Sequence, residues 1–161
     1  MDAQQMDAQH GIDDVGAGRI ELLRRWILGV LVLGLLGTVT ELVLLEHYEQ
    51  PMQFVPLVLI VAALAVLAWE FRQRDAASRR ALQIVMALFV LAGFVGVVVH
   101  FIGSAEFQLE LDPSMSIAEL VEKVLRAKAP PLLAPGMMLQ LGLLGLAYVF
   151  SDPRLRRSEM K

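Results

Sequence analysis

The chain alternates between four long apolar blocks and shorter polar segments. With their flanking residues, the blocks cover positions 22–46, 54–71, 82–102 and 132–150. Each is close to the about 20 residues that a helix needs to cross roughly 30 Å of hydrocarbon. None has the period-2 alternation of a membrane barrel strand, and backbone groups in lipid must be paired within the segment. The pattern therefore predicts an all-α membrane protein with a bundle of four transmembrane helices.

Composition supports a bilayer as the solvent. Of the 161 residues, 57% are hydrophobic and 19% are charged, which lies outside the usual range of soluble domains. The leader, residues 1–18, is acidic and polar, and we expect it to be disordered and cytoplasmic. The first apolar block is longer than the core of a signal peptide, so we interpret it as a retained helix.

Arginine and lysine predict the orientation of the bundle. Eleven of the 14 basic residues flank the blocks on one side, which the positive-inside rule makes cytoplasmic. Residues 19–151 then form a transmembrane domain with both termini inside, and residues 152–161 form a basic cytoplasmic tail. The eleven residues are Arg19, Arg24, Arg25, Arg72, Arg74, Arg79, Arg80, Arg154, Arg156, Arg157 and Lys161.

The longer extracytoplasmic loop, residues 103–131, carries two local patterns. Polar and apolar residues alternate over 106–111, which is typical of a half-buried strand. Ser116 and Glu119 have the spacing of a helix capping box, and apolar residues at helical spacing follow them. We therefore expect a short amphipathic helix over about 117–128. It could cap the bundle, lie at the lipid interface or dock a partner.

Three polar residues fall within the predicted membrane helices: Glu41, His100 and Gln140. Each lies in the outer third of its block, on or beside a stripe of small residues of the kind that membrane helices use for close contact. We expect all three to face the interior, with Glu41 and His100 close enough to pair. Such a pair could be a structural clasp, a protonatable or quinone-type site, or a metal or pigment site that uses His100.

A second candidate site lies on the outer face. His47, Glu106 and Glu110 could together provide imidazole and carboxylate ligands, although no established metal-binding spacing is present and the metal stays unknown. The sequence requires no cofactor. The chain has no cysteine, which excludes attachment of a c-type haem.

Other function classes receive little support from the sequence. No nucleophile elbow or glycine-rich phosphate loop is present, so we do not expect an enzyme. No basic stripe with interleaved aromatic residues is present, so nucleic acid is not an expected partner.

Two stretches carry a family resemblance: His-Phe-Ile-Gly-Ser-Ala-Glu-Phe-Gln-Leu-Glu at 100–110, and Leu-Ala-Pro-Gly-Met-Met-Leu-Gln-Leu-Gly-Leu-Leu-Gly-Leu-Ala-Tyr at 133–148. In these the chain resembles a loose, uncharacterised group of small bacterial four-helix integral membrane proteins. The resemblance covers the chain from about Trp26 onward. It implies a bacterial inner membrane, and it implies no activity, cofactor or catalytic residue.

Two functional hypotheses follow. The first is an accessory or assembly subunit of a larger membrane complex, such as a bioenergetic one, with lipid and other membrane subunits as its partners. The alternative is a small carrier or sensor for a proton, a metal ion or a lipophilic ligand, centred on Glu41, His100 and Gln140.

Overall fold

A computed structural model of the chain describes residues 3–46, 51–126 and 133–152. These residues are helical, and no strand occurs among them. The His47 side chain, the end of the predicted amphipathic helix beyond 126 and most of the basic tail lie outside the described residues. Five helices are present: α1 Ala3–Leu44, α2 Phe54–Gln73, α3 Ala76–Leu111, α4 Ile117–Leu125 and α5 Leu133–Phe150, with a 3-10 turn at Pro51–Gln53 before α2.

Three helical segments in the described chain are long and apolar enough to cross a membrane: Gly18–Leu44 of α1, Phe54–Gln73 and Ala76–Leu111. The last apolar helix, Pro135–Phe150, is shorter. The leader expected to be disordered is continuous with α1, which is helical from Ala3.

The third helix is longer than the sequence predicted. It has 36 residues, which at 1.5 Å per residue makes it about 54 Å long, and it includes the 106–111 segment. The prediction of a strand in this segment is therefore wrong. A lone extended segment would leave its amides without a partner strand, whereas continuing α3 pairs each amide with the carbonyl four residues earlier.

Helices α3 and α5 pack antiparallel along the whole of α5. Their contacts run from Gly96 against Pro135 at one end to an ion pair between Arg79 and Asp152 at the other. Between these ends the helices come close because Gly142 has no side chain, so that a Cβ there would lie 2.8 Å from a backbone oxygen of α3. Small residues thus let the two backbones approach, as is usual between membrane helices.

The connection between α2 and α3 is a tight hairpin. Arg74 closes α2 in the left-handed conformation (φ 51°), and Asp75 caps α3 by accepting a hydrogen bond from the Ser78 amide (2.7 Å). Two residues separate the helices, which makes them antiparallel neighbours.

A single apolar core runs through the bundle. On each long helix the buried positions recur every three or four residues, which places them in one inward stripe. Helix α1 packs against α5 and α2, and α3 packs against α2 and α5. The core is formed by Leu31, Leu35, Leu42, Ile60, Ala63, Leu67, Leu82, Met86, Phe89, Met138, Leu141 and Val149.

Candidate functional site

A cavity of about 780 Å³ lies between the helices at the end of the bundle where α1 stops and α2 and α5 begin. Its volume falls within the range of about 300–1,000 Å³ typical of sites for small ligands. Every helix contributes to its wall, including α4, whose buried Val124 faces it. The lining residues from α1 to α5, one for each helix in order, include Leu42, Pro56, Gly96, Val124 and Met138.

Small residues of the third helix form part of the cavity wall. Ala92, Gly96 and Gly103 all line the space, and none of them reaches far from the α3 backbone. A Cβ at Gly103 would have no atom within 4 Å. The stripe of small residues seen in the sequence therefore packs against α5 at Gly96 but borders empty space at Gly103.

Glu41 and His100 both line this cavity, and both side chains are exposed. The structure thus brings the two residues to one space, with both side chains exposed and not buried between the helices. Small residues on α3 and the ends of α1 and α2 border this space.

Gln140, the third predicted member, is exposed and does not line the cavity. The buried face of α5 follows Pro135, Met138, Gly142 and Gly145 instead. Gln140 lies on another face of that helix, so the structure separates it from Glu41 and His100.

The described residues of the second candidate site do not line the cavity either. Glu106 and Glu110 are exposed positions of α3 outside its lining, and His47 lies outside the described residues. Among the residues that the structure does describe, no group of three or more His, Cys, Asp or Glu side chains could hold a metal ion.

Thr38 belongs to the small and polar stripe of the first block but was not a predicted site residue, and it is the polar residue of the cavity wall with an unusual environment. The residue is only 7% exposed, and its Oγ1 is buried without a hydrogen-bond partner. Thr40, two residues later, shows the ordinary arrangement, because its hydroxyl donates to the Leu36 carbonyl (2.8 Å). A buried hydroxyl that lacks a partner is costly and calls for a physical explanation.

A second polar cluster lies at the opposite end of the bundle, and the sequence analysis missed it. The Asp152 side chain, 1% exposed, forms ion pairs with both Arg24 (Nη2 to Oδ2, 3.4 Å) and Arg79 (Nε to Oδ2, 3.6 Å). Arg24 also lies over the Tyr148 ring, 4.9 Å from its centroid. The cluster therefore joins α1, α3 and the end of α5 through charges that are largely shielded from solvent.

The hairpin between α2 and α3 extends this cluster. The buried Ser78 hydroxyl donates to the carboxylate of Glu70, which is itself buried. Asp75 lies just outside the helices, and the Ser78 backbone amide, followed by the Ser78 hydroxyl, lowers its pKa below the ordinary value. Glu70, near the end of α2, is thus a packed residue.

One sequence signal could have pointed to this cluster. Asp152 is an acidic residue directly after an apolar block, followed by Arg154, Arg156 and Arg157. A lone carboxylate at a helix C-terminus opposes the helix dipole, so it needs cations from elsewhere in the fold. Arg24 and Arg79 supply these cations, and in the sequence they were interpreted only as signals of orientation.

Comparison of the chain with protein-family models, with curated proteins and with solved structures gives no match.

Proposed function

We propose that this chain is a non-enzymatic, multi-pass membrane protein that binds a lipophilic ligand in the cavity beside Glu41 and His100, as a carrier or sensor. The observation that carries the proposal is a mostly apolar space of about 780 Å³ whose wall includes the polar residues Thr38, Glu41 and His100. A ligand with an apolar body and a polar head fills such a space.

The proposed setting is a bacterial inner membrane, with four crossings and both termini in the cytoplasm. The length of α5 supports the fourth crossing: from Pro135 to Asp152 it runs beside α3 for 18 positions, or about 27 Å, close to the hydrocarbon thickness. The cluster of Arg24, Arg79 and Asp152 gathers basic residues at one end, which is the cytoplasmic end under the positive-inside rule. The cavity then belongs to the outer end.

Photocrosslinking tests the proposal. The purified protein in lipid nanodiscs is exposed to single-chain diazirine probes with cationic, neutral or anionic heads, and the labelled peptides are identified by mass spectrometry. We expect at least one probe to label cavity-lining residues on α1 and α3, in competition with excess unlabelled probe. Labelling confined to the lipid-facing surface with all three probes would refute the proposal.

A matched pair of variants makes this test specific. Gly103 and Gly37 are both helical glycines with no atom within 4 Å of an added Cβ, but only Gly103 lines the cavity. Gly103→Leu fills part of the space, and we expect it to reduce cavity labelling. Gly37→Leu adds the same bulk elsewhere and should leave the labelling unchanged.

A second candidate function, the accessory or assembly subunit, is favoured by one observation on α4. This helix buries Val124 against the bundle but leaves a second apolar stripe, Ile117, Val121 and Leu125, uncovered, with Ile117 82% exposed. Such a stripe suits contact with another membrane subunit. The purified wild-type protein should then carry a stoichiometric partner from its native membrane, and Ile117→Asn should lose it.

Abundance separates the two candidates from a purely structural role of the cavity residues. Under the carrier or sensor function, Glu41→Gln and His100→Ala accumulate normally in the membrane and lose ligand labelling. If the two residues only hold α1 and α3 together, the variants accumulate poorly. Quantitative immunoblotting of membrane fractions beside the labelling assay distinguishes these outcomes.

A further inference from the structure

The charges around the cavity indicate which head group it accepts. Among the described lining residues, Glu41 is the one carboxylate, and none is lysine or arginine. The basic side chains on α4, Lys123 and Arg126, line an adjoining groove that shares Gln108 with the cavity and also contains two glutamates. Arg126 is already paired with Glu122 (3.3 Å). Among the described lining residues, a negatively charged head would thus meet a carboxylate and no lysine or arginine.

Glu41 is placed to hold a counter-ion. Within the part of the chain that the structure describes, no salt bridge to Glu41 is present. The carboxylate lies at the side of a largely apolar space, where an ionic contact is screened less than at an open surface. Thr38 lies one turn earlier on α1 and also lines this space.

The rest of the wall suits a positively charged amphiphile. Phe107 provides an aromatic ring, whose face attracts cations. Met52, Met137 and Met138 provide flexible, polarisable side chains, which adapt to tails of different shape.

On the premise of the proposed function, we propose that the ligand of this cavity is a lipophilic cation: an amphiphile with an amine or quaternary ammonium head that pairs with the Glu41 carboxylate, while its tail lies among the methionines. Neither the sequence stripes nor the pattern of arginines indicated this selectivity.

Equilibrium binding of three probes with the same tail tests the charge preference. Radiolabelled dodecyltrimethylammonium, dodecanol and dodecanesulfonate are measured by scintillation proximity on the protein in phosphatidylcholine nanodiscs, with excess unlabelled probe defining saturable binding. We expect the cation to bind about ten-fold more tightly than the alcohol, which corresponds to about 1.4 kcal/mol. We expect no saturable binding of the sulfonate.

Substitutions assign the preference to Glu41. Glu41→Gln should bring the cation to the affinity of dodecanol and leave dodecanol unchanged, whereas Glu41→Asp keeps the charge and should retain the preference. Glu110→Gln removes an exposed carboxylate outside the cavity and is the matched control. Circular dichroism confirms that each variant is folded. If Glu41→Gln does not fold, Glu41→Asp still tests whether a carboxylate at this position gives the preference for the cation.

The outcomes distinguish this inference from the proposed function on which it rests. Equal saturable binding of cation and alcohol to the wild-type protein, or a cation preference that survives in folded Glu41→Gln, would overturn the lipophilic-cation proposal and leave a ligand-binding cavity. An absence of saturable binding for all three probes would overturn both.

Discussion

The effect of replacing a helical glycine depends on which atoms lie next to it. Gly142 and Gly37 are indistinguishable in the sequence as small residues within apolar blocks. In the fold, a Cβ at Gly142 would lie 2.8 Å from both the Met86 carbonyl oxygen and the Val90 amide nitrogen, which are backbone atoms. At Gly37 there is no atom within 4 Å. The cost of adding a methyl group therefore differs at the two sites.

We expect Gly142→Ala to destabilise the bundle by about 1–3 kcal/mol, because α3 and α5 must move apart to admit the methyl group. Gly37→Ala should be neutral or slightly stabilising, since alanine favours helix and meets nothing there. Thermal unfolding of both variants in the same detergent, followed by circular dichroism, measures the difference. Equal midpoints would contradict the close approach of the two backbones.

Asp152 supports a second prediction at this scale. Replacing it by Asn leaves Arg24 and Arg79 without their shared carboxylate in a largely buried position. Breaking such a pair costs about 3–5 kcal/mol in soluble proteins, and membrane proteins show smaller values. We expect a clear loss of thermal stability in Asp152→Asn.

The control for Asp152 is Glu122→Gln on α4. Its partner, Arg126, is 80% exposed, and surface pairs of this kind contribute between about 0 and 1 kcal/mol. If both substitutions lowered the melting temperature equally, the buried cluster at the end of α5 would have no special role in stability.

At the scale of elements, α4 is defined by its first turn. Ser116 and Glu119 form the capping box that their spacing indicated: the Ser116 amide and hydroxyl donate to Glu119 Oε2 (3.0 and 2.8 Å), and the Glu119 amide donates to Ser116 Oγ (3.4 Å). The hydrogen bond from the Ser116 backbone amide, followed by the one from the Ser116 hydroxyl, lowers the pKa of Glu119 from its ordinary value of 4.5.

The lowered pKa makes α4 sensitive to acid. A carboxylate with a depressed pKa contributes its full stabilisation above the unfolded value of 4.5 and loses it as the pH falls through the lower folded value. Amide hydrogen exchange of α4, corrected for the intrinsic rate, should therefore lose protection below pH 4.5. Near neutral pH the protection should be constant.

Glu119→Gln serves as the control for this acid sensitivity, because glutamine accepts the Ser116 bonds without titrating. Asp112 at the end of α3 has a pKa lowered by the Ser114 hydroxyl and amide, so it loses stabilisation in the same direction. If Glu119→Gln shows the same acid loss as the wild type, the sensitivity belongs to Asp112 and not to the cap of α4.

At the scale of the whole molecule, the proposed topology places the α2–α3 hairpin inside and α4 outside. The chain has no cysteine, so a single introduced one reports its own side of the membrane. In intact spheroplasts, we expect a membrane-impermeant maleimide to label Ser114→Cys, just before α4. Ala77→Cys at the start of α3 should be labelled only after permeabilisation. The reverse pattern would invert the molecule and place the cavity at the cytoplasmic face.

Much of the fold follows from the sequence alone, because the length of an apolar block and the need to pair backbone groups in lipid leave helix as the simplest solution. The helical class, the existence of α2, the Asp-Ser and Ser-Glu caps and the small-residue stripes are local properties. The 106–111 segment shows the limit of such reasoning. Six alternating residues fit a strand, yet their position directly after a long helix made them part of it.

Only the tertiary structure could decide which face of each helix points inward. Helices that are apolar all round carry no preferred face. On α5, either the face with Gln140 or the face with Gly142 could therefore have packed inward. The meeting of Arg24, Arg79 and Asp152, the unpartnered hydroxyl of Thr38 and the space beside Glu41 depend on residues far apart in the chain. They arise from how the helices pack, whereas the presence of the helices themselves is determined locally by the sequence.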